Sequence, residues 1–163
     1  AMTYPHNLGE GKHLLTPENE LHYLLGTCLR AAGDEAGALE WLQRSAEAQG
    51  DPAEPAADAP YWQALALRAL GDEALAEACL TALTETAEVQ AQAEVRIPYF
   101  ATSLPTLLLF HDDLSQRARQ EALYLGGLAL LGRGLRRKAS ARFRRLLELQ
   151  PDHLGASLRL ADR

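Results

Sequence analysis

The segment Leu29-Arg30-Ala31-Ala32-Gly33-Asp34-Glu35-Ala36 recurs as Leu67-Arg68-Ala69-Leu70-Gly71-Asp72-Glu73-Ala74, with seven of eight positions identical. Repetition of this kind restricts a chain to stacked copies of one supersecondary unit. Each copy follows an apolar pattern of helical period (Leu21, Leu24, Leu25, Cys28, Leu29; then Tyr61, Leu65, Leu67) and precedes a second (Ala38, Leu39, Leu42, Ala46; then Ala76, Cys79, Leu80, Leu83). The unit reads as helix–turn–helix. Gly33 and Gly71 stand where a left-handed residue ends the first helix, and Asp34 and Asp72 can cap the second. Gly-Asp is thus a tight turn between antiparallel helices. Composition agrees, because 47% of residues are hydrophobic but only 6% aromatic, so the core is mainly Leu and Ala. Such a core suits close-packed helices better than a sheet. The 163 residues allow one domain or one short array, and the expected fold class is all-α.

The unit resembles the tetratricopeptide repeat (TPR), whose 34-residue signature runs W-x2-L-G-x2-Y, then A-x3-F, then P. In the first copy Leu25-Gly26 matches L-G, Ala38 matches Ala, and Leu29 and Leu42 stand for Tyr and Phe. A third copy carries Gly127, Leu130, Gly134, Ala139, Phe143 and Pro151 at family spacing; in the second, Ala64 replaces the close-packing glycine. The resemblance implies a TPR-like array (an α-solenoid) of three repeats over about 19–52, 57–90 and 120–153. A helical insertion over about 91–119 and a capping helix over about 153–162, which Asp152 can start, complete a single domain, 16–163, behind an irregular arm, 1–15. Gly33 and Gly71 are 38 residues apart, with the Pro/Ala-rich linker 50–56 absorbing the excess, whereas Gly71 and Gly134 are 63 apart, which requires the insertion. Its apolar run from Ile97 to Phe110 is expected to pack on the array, and Asp112 or Asp113 to cap a long helix ending at Leu131.

Pro5-His6-Asn7-Leu8-Gly9-Glu10-Gly11-Lys12, together with Ile97-Pro98-Tyr99-Phe100, resembles the carboxy-terminal repeat region of a family of large bacterial proteins built around a domain of unknown function. That resemblance transfers no catalytic residue. Ala1 ahead of Met2 reads as a cleavage scar, and the chain as an excised piece of a larger protein.

Chemistry-bearing motifs are sparse. Gly9-Glu10-Gly11-Lys12-His13 lacks the glycine (at His6) and the hydroxyl (at His13) of a phosphate loop. No two of His6, His13, His22, His111 and His153 share a helix face at ligand spacing. His111-Asp112-Asp113 reads as a helix cap, and Cys28 and Cys79 as small core residues on apolar stripes. Two cysteines make neither a disulfide framework nor a zinc site unaided. The expectation is a chain without catalytic residues, cofactor or metal, and no run of apolar residues long enough for a membrane span. Cytoplasmic placement is expected. The net charge of −6 disfavours nucleic acid and acidic membranes as partners.

Two surfaces are candidates for binding. The TPR resemblance places first helices along a concave groove, with Tyr23, Tyr61 and Tyr124 at one repeat position and Arg30 and Arg68 at another; Trp62 joins them beside Tyr61. Tyr offers an apolar ring with a polar tip and Arg a planar fork for carboxylate or phosphate. Packing between repeats is the competing explanation. Thr27, Leu65 and Leu128 stand where chaperone-binding members are Asn-rich, so a chaperone tail is a disfavoured partner. The other candidate is the window Arg133–Arg145, which holds seven basic residues and no acid while the remainder carries −13. Arg136, Arg137, Lys138, Arg142 and Arg145 form this basic patch, which either docks an acidic partner, makes a weak contact with nucleic acid, or is a solvated face balanced by acidic helices. The function expected is a protein or peptide interaction module. The alternatives are an accessory region packed on a catalytic domain of the parent chain, and a homo-oligomeric scaffold.

Overall fold

The computed structural model describes residues 18–47, 57–93 and 114–161, and its regular elements there are all helices. In chain order they are α1 (Asn19–Ala31), α2 (Glu35–Ala46), α3 (Ala59–Ala69), α4 (Glu73–Gln92), α5 (Leu114–Gly132), α6 (Arg136–Leu149) and α7 (Leu154–Ala161). The fold is an all-α array of helical hairpins. It divides into two compact units, Ala1–Leu80 and Thr81–Arg163. The arm, the linker, the apolar run from Ile97 to Phe110 and the cap at Asp112 or Asp113 lie outside the described residues.

Three turns share one geometry. Gly33, Gly71 and Gly134 have φ of 87°, 90° and 75°, a left-handed conformation that costs a glycine nothing sterically. The amide after each glycine donates to a carbonyl five residues back: Asp34 to Leu29, Asp72 to Leu67, Leu135 to Leu130. These bonds satisfy carbonyls that the helix end would leave bare. Asp34 Oδ1 then accepts from the Gly37 amide and Asp72 Oδ1 from the Leu75 amide, at 2.9 and 3.0 Å. Leu135 caps α6 without a side-chain bond.

The second helices bury the same stripe in every copy. Ala38, Leu42 and Ser45 in α2, Ala76, Leu80 and Leu83 in α4, and Ala139, Phe143 and Leu146 in α6 are all essentially inaccessible. First helices receive them at a small residue. A Cβ on Gly26 would stand 2.8 Å from Leu42 Cγ, and one on Gly127 would collide with the Phe143 ring, so both helices need glycine for close approach. Ala64, fully buried, holds the equivalent place in α3.

In the first unit, α3 packs on both α1 and α2. Asn19 joins α1 to the end of α2: its Nδ2 donates to the Ser45 and Glu47 carbonyls at 2.8 and 3.0 Å, and Ser45 Oγ donates back to the Asn19 carbonyl at 2.8 Å. Gln63 Nε2 of α3 donates to the same Glu47 carbonyl at 3.0 Å. In the second unit α6 packs on α5 and α7 on α6. The His153 ring accepts the Ala156 amide at 3.1 Å, so His153 rather than Asp152 caps α7.

Cys28 corrects an expectation. It is exposed, and Cys79 is half-buried, although the apolar stripes predict core positions for both. Ala66, the repeat equivalent of Cys28, is buried on a helix that packs against a preceding hairpin. Among the described residues α1 has no preceding hairpin, and Leu21 and Leu24 beside Cys28 are 51% and 45% exposed.

The turns make a paired expectation testable by chemical denaturation. Gly71→Ala should destabilise the chain by about 1–2 kcal/mol, because an L side chain is strained at positive φ. Leu135→Asp should stabilise it by about 0.5–1 kcal/mol by restoring the missing cap. Separately, Asn19→Ala should cost about 1–3 kcal/mol, since it strips the buried Ser45 carbonyl of its side-chain donor, while the Glu47 carbonyl keeps Gln63.

Candidate functional site

The aromatic and arginine ladder divides between the two units. In the first, Tyr61 and Trp62 are 5% and 4% exposed. Their repeat position predicts a groove surface for both, and the structure places them in the core instead. Trp62 accounts for this, since its ring sits 5.0 Å from Tyr61 and 5.8 Å from Tyr23, drawing three aromatic side chains into one cluster. Tyr23 is half-buried at its edge.

The two arginines act on the hairpins themselves. Arg30 Nη1 donates to the Ala69 carbonyl at 3.2 Å, tying α1 to the end of α3, where helix carbonyls carry partial negative charge. Its Nε lies 3.4 Å from Glu35, and Arg68 Nε lies 2.9 Å from Glu73, the same pairing across each Gly-Asp turn. Both glutamates are well exposed, so the pairs add little stability. In the third copy Leu131 and Arg136 hold these positions, and both pair members have changed. Tyr124 belongs to the second unit, with its ring 4.6 Å from His153 and 6.2 Å from Phe143, and Gly155 packed against its hydroxyl end.

The basic window lies along α6. Arg136, Arg137, Lys138, Arg142, Arg144 and Arg145 are all exposed. The expected neutralisation by acidic neighbours is thin: among the described residues Arg145 pairs with Glu148 at 2.6 Å, and the other five make no ion pair. Arg133 Nη1 and Nη2 instead donate to the Thr84 and Thr81 hydroxyls of α4 at 2.9 and 3.2 Å.

The second half of α4, with α5 and α6, encloses an open cleft of about 410 Å³. Its floor is apolar: Ala87 and Ala91 of α4, Ala122, Leu123, Ala129 and Leu130 of α5, and Leu149 of α6. Arg119, Arg133, Arg142 and Arg145 rim it, and Glu88 is the carboxylate among the described lining residues. The stride on each helix is three or four residues, so each offers one face. Arg142 reaches in across Gly126, where a Cβ would collide with its Nη1. Of these residues the sequence singled out the arginines of α6; the contributions of α4 and α5 come from helices distant in sequence or read as ordinary core, and carry no motif.

A smaller cleft of about 190 Å³ in the first unit is lined by Asn19, Glu20, Asp58, Ala59 and Trp62. Among the described residues, no three of His, Cys, Asp or Glu are grouped to hold a metal ion. Burial pushes the Cys79 thiol up, which keeps it protonated and weakly nucleophilic. No helix among the described residues is long and apolar enough to cross a membrane.

No protein-family model matches the chain. Among solved structures it is similar to one described as the first TPR of Spaghetti (RPAP3) bound to HSP90 peptide SRMEEVD, with 17% identity over 93% of this chain and 94% of that one. The TM-score is 0.31, a loose superposition that carries nothing about ligand from that protein to this one.

Tyr23 gives the aromatic cluster a measurable signature. Burial, opposed by the nearby Arg30 charge, raises its phenol above the ordinary 10.0. The folded chain therefore holds this proton more tightly than the unfolded chain. Its contribution is complete below the unfolded value and is lost as pH climbs from about 10 through the raised one. Urea unfolding midpoints should fall as pH rises above about 10 more steeply for the natural chain than for Tyr23→Phe.

Proposed function

We propose that the chain is a non-catalytic interaction module that holds a peptide or a partner domain against the faces of its helical hairpins. The cleft of the second unit carries this reading. It offers an apolar floor and guanidinium donors, a combination that binds side chains and charge. The resemblance of the repeats to TPR units supports the same reading. The first-helix groove contributes less, because Tyr61 and Trp62 are buried and Arg30 is engaged with Ala69, leaving Tyr23 as its most accessible ring.

A second reading, an accessory region packed on another domain of a larger protein, is favoured by one observation. Leu21, Leu24 and Leu39 are 51%, 45% and 47% exposed on the first hairpin, an apolar face of the kind that partner domains cover.

Selection of a random peptide display library on the immobilised chain tests the module reading. It should enrich saturable binders with dissociation constants on the order of micromolar. A library that yields no saturable binder, from a chain whose circular dichroism is fully helical, overturns it.

A further inference from the structure

The chemistry of the cleft in the second unit specifies its occupant more closely. Resting on the interaction-module reading, we propose that this cleft docks an amphipathic helical segment of a partner protein, with Leu-like side chains on one face and carboxylates flanking them.

The apolar requirement comes from the floor, where alanines and leucines of three helices present no hydrogen-bonding side chain. Apolar groups gain by leaving water there, and polar groups lose hydrogen bonds. The anionic requirement comes from the rim, where four guanidiniums face one lining carboxylate, Glu88. Glu148 offsets Arg145 in part. Arg136, Arg137, Lys138 and Arg144 extend the positive field along α6 and make no ion pair among the described residues. An uncharged apolar ligand would leave Arg142 and these α6 cations without a counter-charge, and a cationic one would be repelled.

Length and shape follow from α5. Arg119 of α5 and Arg133, the residue just past its end, mark the two ends of this wall, with Leu123 and Leu130 between them. A helical stretch of that length spans about 21 Å, which matches a docked helix of about four turns and makes helix-in-groove the fitting mode. The carboxylates belong on the flank facing α6, opposite Arg142 and Arg145. Nucleic acid fits poorly, because no aromatic side chain among the described lining residues offers a stacking face and the chain carries −6 overall. The surface also differs from a first-helix groove, since α4 and α6 are second helices of their hairpins.

Gly126 supplies the decisive variant. Its missing Cβ lets the Arg142 guanidinium lie over α5, and a methyl group there displaces only the flexible end of that side chain. Alanine is also the better helix former. Gly126→Ala should therefore leave the melting temperature unchanged or higher while it removes Arg142 from the rim.

Fluorescence anisotropy of the full chain with a labelled Glu/Leu helical peptide of about 14 residues, Leu spaced at i, i+3, i+4 and i+7, reads the proposal directly. Controls are the same peptide with Lys for Glu, with Ser for Leu, and a single-stranded oligonucleotide of equal charge. The Glu/Leu peptide should bind saturably and weaken between about 50 and 200 mM salt, and the controls should not. Gly126→Ala, and Arg119→Ala combined with Arg142→Ala, should each weaken binding by about tenfold or more, the size of one lost charge-assisted contact. Equal binding by a control, or affinity indifferent to these variants, overturns the proposal. If library-selected peptides bind but do not compete with the Glu/Leu probe, the occupant is wrong and the module reading stands; if no peptide binds, both fall.

Discussion

The close approach of a large residue on each second helix to a small one on its first helix sets the geometry on which the rest depends. Leu42 enters at Gly26 and Phe143 at Gly127, while Leu80 shares a repeat position with them and Ala64 holds the small place in α3. A Cβ at Gly26 or Gly127, or a side chain larger than alanine at Ala64, would hold the helices apart and strip the buried stripe of its contacts. The left-handed glycine at each turn makes that approach possible, because it reverses the chain within two residues and starts the second helix antiparallel to the first. Neither device works without the other, since a tight turn into a wide interhelical gap would leave the buried alanines facing a void.

Against that requirement, Gly126 and Gly127 on α5 are unlike each other. A glycine in mid-helix costs about 0.5–1 kcal/mol relative to alanine, so each calls for a return. Gly127 has one in the Phe143 ring packed against it, a contact that closes the α5–α6 hairpin. Gly126 faces the end of an exposed arginine, which could swing into water at little cost. Its return lies in placing a guanidinium over an apolar cleft, a matter of surface chemistry rather than folding. Adjacent positions of one helix thus serve the core and the cleft separately.

Features that recur were legible in the sequence, and features made by tertiary convergence were not. The Gly-Asp turns, the helices flanking them and the final helix from Leu154 follow from local patterns, each repeated or punctuated, and the structure has them at those places. Burial was harder to read. Tyr61 and Trp62 look like groove residues because the repeat position says so, but two adjacent large rings on one helix turn inward when α1 offers Tyr23 as a third partner. Cys28 lies on an apolar stripe and still faces solvent, because periodicity marks a face without saying whether anything covers it. Asn19 and Ser45 carried no signal at all: their reciprocal bonds join residues 26 apart, and neither belongs to a repeat motif.

The third repeat departs from the other two where an electrostatic argument can be made. Helix N-termini favour negative charge, and α2 and α4 comply with Asp34-Glu35 and Asp72-Glu73. α6 begins instead with Leu135-Arg136-Arg137-Lys138, which supplies no side-chain cap and sets three cations at the positive end of the dipole. Each such charge costs a few tenths of a kcal/mol up to about 1 in exposed settings, so the arrangement works against local stability. The Arg–Glu pair that bridges the first two turns is absent here as well, with Leu131 and Arg136 in its place. The turn has lost two acids, at Leu135 and Arg136, and one cation, at Leu131, so features that stabilise the hairpin internally give way to a net gain of positive charge at the start of α6. A fold that needed only to stack its repeats would gain by keeping the acidic start of α6; the proposed anionic partner would supply the counter-charge that the hairpin itself has given up.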